Sequence, residues 1–145
     1  IRKALEILTI ELAMLNISKE YVKEMEESLK QQNALLKLNH KENKEYFIDL
    51  DVNFHSSLLK MADNDLLTIM IGEIRDKIRR FGMSAIFCGD FRYKETVDEH
   101  SDILKAIKAR NLDLAREKMN YHIQKTYENA YNYITVQKSV KNNSL

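Results

Sequence analysis

Apolar side chains recur every three or four positions along almost the whole chain, the spacing of one helix face, and polar turn signals interrupt that rhythm at intervals. A first helix is expected from Ile1, with Ile1, Leu5, Leu8, Leu12 and Leu15 on its inner side, ending at Asn16-Ile17-Ser18. Ser18 is a suitable N-cap for a second helix carrying Tyr21, Val22, Met25, Leu29 and Leu36. Asn39 to Asn43 is polar and reads as a turn. A third helix, from about Lys44 to Met61, would bury Phe47, Leu50, Phe54, Leu58 and Met61. Asp63-Asn64-Asp65 then supplies a break and a cap for a fourth helix with Leu67, Met70, Ile71, Ile74, Ile78 and Phe81. Gly82 and Gly89 bracket a less regular stretch around Phe87-Cys88, which leaves the count at six or seven. A fifth helix would hold Tyr93, Val97, Ile103, Leu104 and Ile107, and a sixth Leu114, Ala115, Met119, Ile123 and Tyr127. Lys138 to Leu145 is polar and expected to fray. The pattern therefore predicts an all-α protein, an antiparallel bundle of six or seven helices in a single domain over residues 1–145.

Composition supports that reading. The 145 residues include no Pro and three Gly, far below the usual shares of about 5% and 7%. Long uninterrupted helices follow. With 23 basic against 22 acidic side chains the formal net charge is +1, which argues against binding nucleic acid by bulk electrostatics. The single cysteine, Cys88, cannot form an internal disulfide, so a reducing cytoplasm is the simpler expectation. No apolar run approaches the roughly 18 residues of a membrane span. The chain opens on Ile1 inside a helical pattern, so it is expected to be a piece of a longer polypeptide or one whose first residues are missing.

Four polar residues then change the picture. Asp51 and His55 are four apart on the third helix, on one face and about 6 Å apart along the axis, where two ligands can reach one ion. In the fifth helix the apolar series Tyr93, Val97, Leu104, Ile107 runs straight through His100, and in the sixth Ala115 and Met119 lead by the same spacing to His122. His100 and His122 are each 11 residues from Asn111, in the turn Arg110-Asn111, so in an antiparallel hairpin they lie side by side, about 16 Å from that turn. The alternative is four separately satisfied polar residues. Two inward histidines paired across a hairpin, with an Asp/His pair beside a buried row, favour a shared divalent metal. Imidazole and carboxylate suit zinc, nickel, manganese or iron, with zinc the first expectation. A domain of this size does not need a metal staple, so a site open to a further ligand is expected.

A carboxylate completing such a site would need a cation, and the fourth helix offers Arg75, Arg79 and Arg80. Arg75 and Arg79 border the Ile71, Ile74, Ile78 row and are the effector-binding candidates, against the plainer reading of a solvated face. His40 is expected to be exposed, and Cys88 to be a core thiol. No Gly-rich phosphate loop, His-Glu-x-x-His, Cys-x-x-Cys or Glu-x-x-His pair is present.

The chain resembles the FCD ligand-binding domain, the C-terminal effector domain of one large branch of GntR-family bacterial transcription regulators. The resemblance rests on several short motifs in order. The opening Ile1-Arg-Lys-Ala-Leu-Glu-Ile-Leu-Thr-Ile-Glu-Leu-Ala13 is similar to the family's first helix with its Arg-x-x-Leu-Glu core. Asp51-Val-Asn-Phe-His55 matches Asp-x-x-Phe-His, and Asn64-Asp-Leu-Leu67 matches Asn-x-x-Leu. Glu99-His100 and Ala115-Arg-Glu-Lys-Met119-Asn-Tyr-His122 fit the closing patterns. Arg110-Asn111 and Asp63-Asn64 stand where the family usually has Gly-Asp and Gly-Asn, both at turns. The resemblance implies that Asp51, His55, His100 and His122 are metal ligands, that a small organic acid completes the coordination, and that Arg79 is the preferred arginine of the pocket. It also implies a homodimer, and a winged helix-turn-helix DNA-binding domain preceding this one in the intact regulator. The first function expected is therefore a metal-dependent sensor of a small carboxylate. A metal-dependent enzyme of helical-bundle type and a purely structural bundle are the alternatives.

Overall fold

The computed structural model describes residues 1–38, 42–86 and 90–142, with the side chains of 79–86, 90, 138 and 140–142 outside the description. Six helices account for the described chain, with no strand: α1 (Arg2–Leu15), α2 (Lys19–Leu36), α3 (Lys44–Ala62), α4 (Asp65–Ile86), α5 (Asp90–Lys108) and α6 (Leu112–Asn142). α4 passes through Gly82 without a break, where a less regular stretch was expected. One glycine costs a helix only about 1 kcal/mol relative to alanine, and no proline enforces a stop. α6 likewise continues to Asn142 instead of fraying from Lys138. His40, Phe87, Cys88 and Gly89 lie outside the described residues.

Side-chain caps mark two helix starts. Asn64 Oδ1 accepts the Leu67 N–H at 2.9 Å and Asn111 Oδ1 the Leu114 N–H at 3.0 Å, so α4 and α6 begin where an asparagine can satisfy a free backbone donor. Ser18 occupies the N-cap of α2, yet its hydroxyl makes no capping bond. α5 closes on a Schellman turn: the Arg110 N–H reaches Ile107 O and the Asn111 N–H reaches Ala106 O.

α3 packs on α1 and α2, while α6 packs on α5, α1 and α4, and α2 closes against α5. The predicted inner rows of α3 and α5 are buried throughout. Other elements turn differently. Leu8, Leu15, Met70 and Tyr127, all expected inside, are exposed, and α1 instead buries Glu6, Thr9, Ile10 and Ala13. No helix among the described residues is long and apolar enough to cross a membrane.

The core is in two pieces. Leu35, Phe47, Ile48, Leu50, Tyr93 and Val97 form one cluster, and Phe54, Leu58, Ile103, Ile107, Met119 and their neighbours form the other. Along α3 the division falls between Leu50 and Phe54, and along α5 between Val97 and Ile103. Those intervals contain Asp51 and His100, so a polar layer crosses the bundle at one level.

Candidate metal centre

Asp51, His55, His100 and His122 converge in that layer. One ligand atom from each lies within 4.8 Å of the other three, and all three histidines are buried. His55 and His122 present their Nε2 atoms to each other at 3.3 Å, and His100 Nε2 lies 3.4 Å from Asp51 Oδ1. The ring centroids of His100 and His122 are 4.8 Å apart, as expected for residues equidistant from the α5–α6 turn. His100 is also stacked on Phe54, with centroids 4.1 Å apart and planes 8° from parallel.

The far nitrogens face separate acceptors, within hydrogen-bond distance for His122 and His100. His122 Nδ1 is 2.7 Å from Glu99 Oε2, His100 Nδ1 is 3.1 Å from Gln32 Oε1, and His55 Nδ1 is 3.4 Å from Glu6 Oε2. Gln32 donates its amide N–H to Phe47 O at 3.4 Å, which turns its oxygen toward His100. Glu99 Oε2 and Gln32 Oε1 accept here, so the hydrogen-bonded Nδ1 atoms of His122 and His100 carry the proton and their Nε2 atoms turn a lone pair inward. The 3.3 Å contact between the Nε2 atoms of His55 and His122 is satisfied either by a proton on His55 Nε2 or by a cation between them. His100 Nε2 has no hydrogen-bond partner at all, although it is buried. Three converging imidazoles and a carboxylate are what a borderline divalent metal takes up, so these residues could hold one.

Electrostatics around the layer favour neutral imidazoles at His100 and His122. Burial, then the neighbouring His122, pushes the His100 imidazole well below its usual pKa, against the pull of Asp51. Burial, then His55, Arg2 and Arg92, does the same to His122. Burial would raise the Glu6 carboxyl, but His55, Arg75 and Arg2 together hold it well below the ordinary range. Burial pushes the Glu99 carboxyl up, against the opposing effect of Arg92. Arg92 grips both Glu99 oxygens, at 2.6 and 2.9 Å, and also donates to Thr126 Oγ1 at 3.0 Å.

Of the two effector-binding candidates, Arg75 reaches inward and ends on Glu6 Oε1 at 3.2 Å. Arg79 lies one turn further along α4, and its side chain is outside the description. Sequence reasoning named the four converging residues but missed their outer partners Glu6, Gln32, Glu99 and Arg92. Two of these had a signal, since Glu6 and Glu99 lie within the motifs Arg-x-x-Leu-Glu and Glu-His.

An all-α bundle thus closes around a buried layer of histidines and carboxylates. Residues 1–125 match the FCD domain family, and the chain belongs to it. The fold is similar to that of E. coli McbR/YncC, with a TM-score of 0.79 at 19% identity, over 90% of this chain and 64% of that one. At that identity the likeness is one of fold. No curated protein matches the chain in sequence.

Proposed function

We propose that the domain is a metal-dependent sensor of a small organic acid. Asp51, His55, His100 and His122 hold a divalent ion, zinc first among zinc, nickel, manganese and iron. The observation that carries this reading is the convergence of the three imidazoles and Asp51 on one point, with the opposite nitrogens of His100 and His122 hydrogen-bonded to separate acceptors. The ion supplies a Lewis-acidic position at which a carboxylate binds, and Arg75 or Arg79 offers the accompanying cation. In the intact regulator, acting in the cytoplasm, the effector changes how a preceding winged helix-turn-helix domain meets DNA. That requires different effector affinities for two arrangements of the protein. Family membership favours this regulatory role over catalysis.

Metal analysis of the purified domain at neutral pH tests the reading. We expect about one equivalent in the wild type and a large loss in His100→Ala, whereas a wild type without metal rejects it. The domain is also proposed to form a homodimer, and Leu66, Ile69 and Met70 offer an exposed apolar patch on α4. Light scattering should give twice the 17.1 kDa chain mass. A monomer at micromolar concentration refutes that part alone.

A further inference from the structure

We propose that Glu6 is a positioning residue of the metal centre, holding the His55 imidazole with its proton on Nδ1 and its Nε2 turned inward. The inference rests on the metal reading above and extends it to a helix that contributes no ligand.

Glu6 is fully buried on the inner face of α1, beside Thr9, Ile10 and Ala13. A carboxylate is a costly occupant of such a position, and an apolar side chain of similar volume would pack there with equal or greater stability. Its two oxygens have different surroundings. Oε1 faces Arg75 at 3.2 Å and Arg2 at 3.5 Å, so two guanidinium groups supply the opposite charge. Oε2 is turned the other way, 3.4 Å from His55 Nδ1, and neither of these two atoms has a hydrogen-bond partner. An acceptor facing Nδ1 favours the tautomer protonated there and leaves the Nε2 lone pair for the centre. Glu99 faces His122 Nδ1 in the same way but closer, hydrogen-bonded at 2.7 Å, with Arg92 behind it. The arrangement thus occurs twice, built from different helices.

Two measurements on the 145-residue chain decide the matter. Imidazole nitrogen NMR of the metal-free wild type near pH 8 should show His55 protonated on Nδ1, and a dominant Nε2-protonated form overturns the proposal. In Glu6→Gln the single amide oxygen is held by Arg75 and Arg2, leaving its N–H groups toward His55 Nδ1, so competition with a chromophoric chelator should show zinc affinity falling about 10–100-fold, with His55 shifting toward the other tautomer. If Glu6 only stabilises the fold, Glu6→Gln lowers the urea midpoint of the metal-free protein but leaves zinc affinity within about twofold, and the proposal fails. Should Glu6→Gln not fold, the wild-type tautomer still decides. A wild type that takes up no zinc rejects the metal reading, while the His55 tautomer reports on Glu6 separately.

Discussion

Asp63 and Arg110 hold left-handed backbone without being glycine, with φ of 47° and 54°. They stand at the two turns where the family usually has glycine. A side chain in that region costs roughly 1 kcal/mol or more, because Cβ crowds the following carbonyl, although Asp and Asn are better tolerated through local hydrogen bonding. Arg110 has no such compensation, and it occupies the C′ position of the Schellman turn that ends α5. Arg110→Gly is therefore expected to stabilise the metal-free domain by about 0.5–1 kcal/mol, net of the greater freedom glycine gains on unfolding. Asp63→Gly should gain less. Urea unfolding of the two variants checks both the sign and the order, and a lower midpoint for Arg110→Gly contradicts the argument. The buried ions follow a different logic. Glu6, Arg92 and Glu99 would be poor choices for stability alone, since ion pairs cost nearly as much to desolvate as they return. Each nevertheless stands on or directly behind a histidine of the centre.

α5 and α6 each bring one strongly buried histidine to the polar layer, and this determines how the metal-free hairpin responds to acid. His100 and His122 titrate near 6.5 when unfolded and well below that when folded. As pH falls, the unfolded chain takes up protons first, so the stability these groups contribute is complete above about 6.5 and is lost toward their folded values. Glu6 adds a lower window with the same sign, because its folded carboxyl lies below the ordinary 4.5. Glu99, raised by burial, acts in the opposite sense, as one group against the two histidines in the range above 4.5. The urea midpoint of chelator-treated protein should fall between about pH 7.5 and pH 5, and a midpoint rising over that interval would contradict the assignment. The same hairpin shows why these two histidines were legible in the sequence: helical period aims His100 and His122 inward, and equal distance from the turn sets them side by side. α1 was not legible in this way. Its apolar residues surround most of the helix, so periodicity favoured Leu8 and Leu15, both exposed, over the face containing Glu6. Contacts to His55 on α3 and Arg75 on α4 select that face, and no local pattern records such distant partners. Gln32 escaped for the same reason, since its partner His100 is 68 positions away.

Every helix sends a side chain into the polar layer: Glu6 from α1, Gln32 from α2, Asp51 and His55 from α3, Arg75 from α4, His100 from α5 and His122 from α6. An ion bound there would bridge α3, α5 and α6 directly and the other helices through their contacts, so occupancy should register in the stability of the whole bundle. A ligand that binds only the folded state at 100 times its dissociation constant adds about 2.7 kcal/mol, a rise in melting temperature on the order of 10 °C for a domain of this length. Zinc should produce a shift of that order, provided it does not also bind the unfolded chain. A small carboxylate effector should produce a further shift only when zinc is present, because the ion supplies its principal contact. Linkage then demands the converse: the carboxylate raises zinc affinity by the same factor by which zinc raises carboxylate affinity. Thermal unfolding over a panel of small organic acids, with zinc and with chelator, measures the first, and chelator competition at saturating acid measures the second. An acid that stabilises chelator-treated and zinc-loaded protein equally would bind elsewhere, and the coupling of metal to effector would be rejected even if the metal site stood.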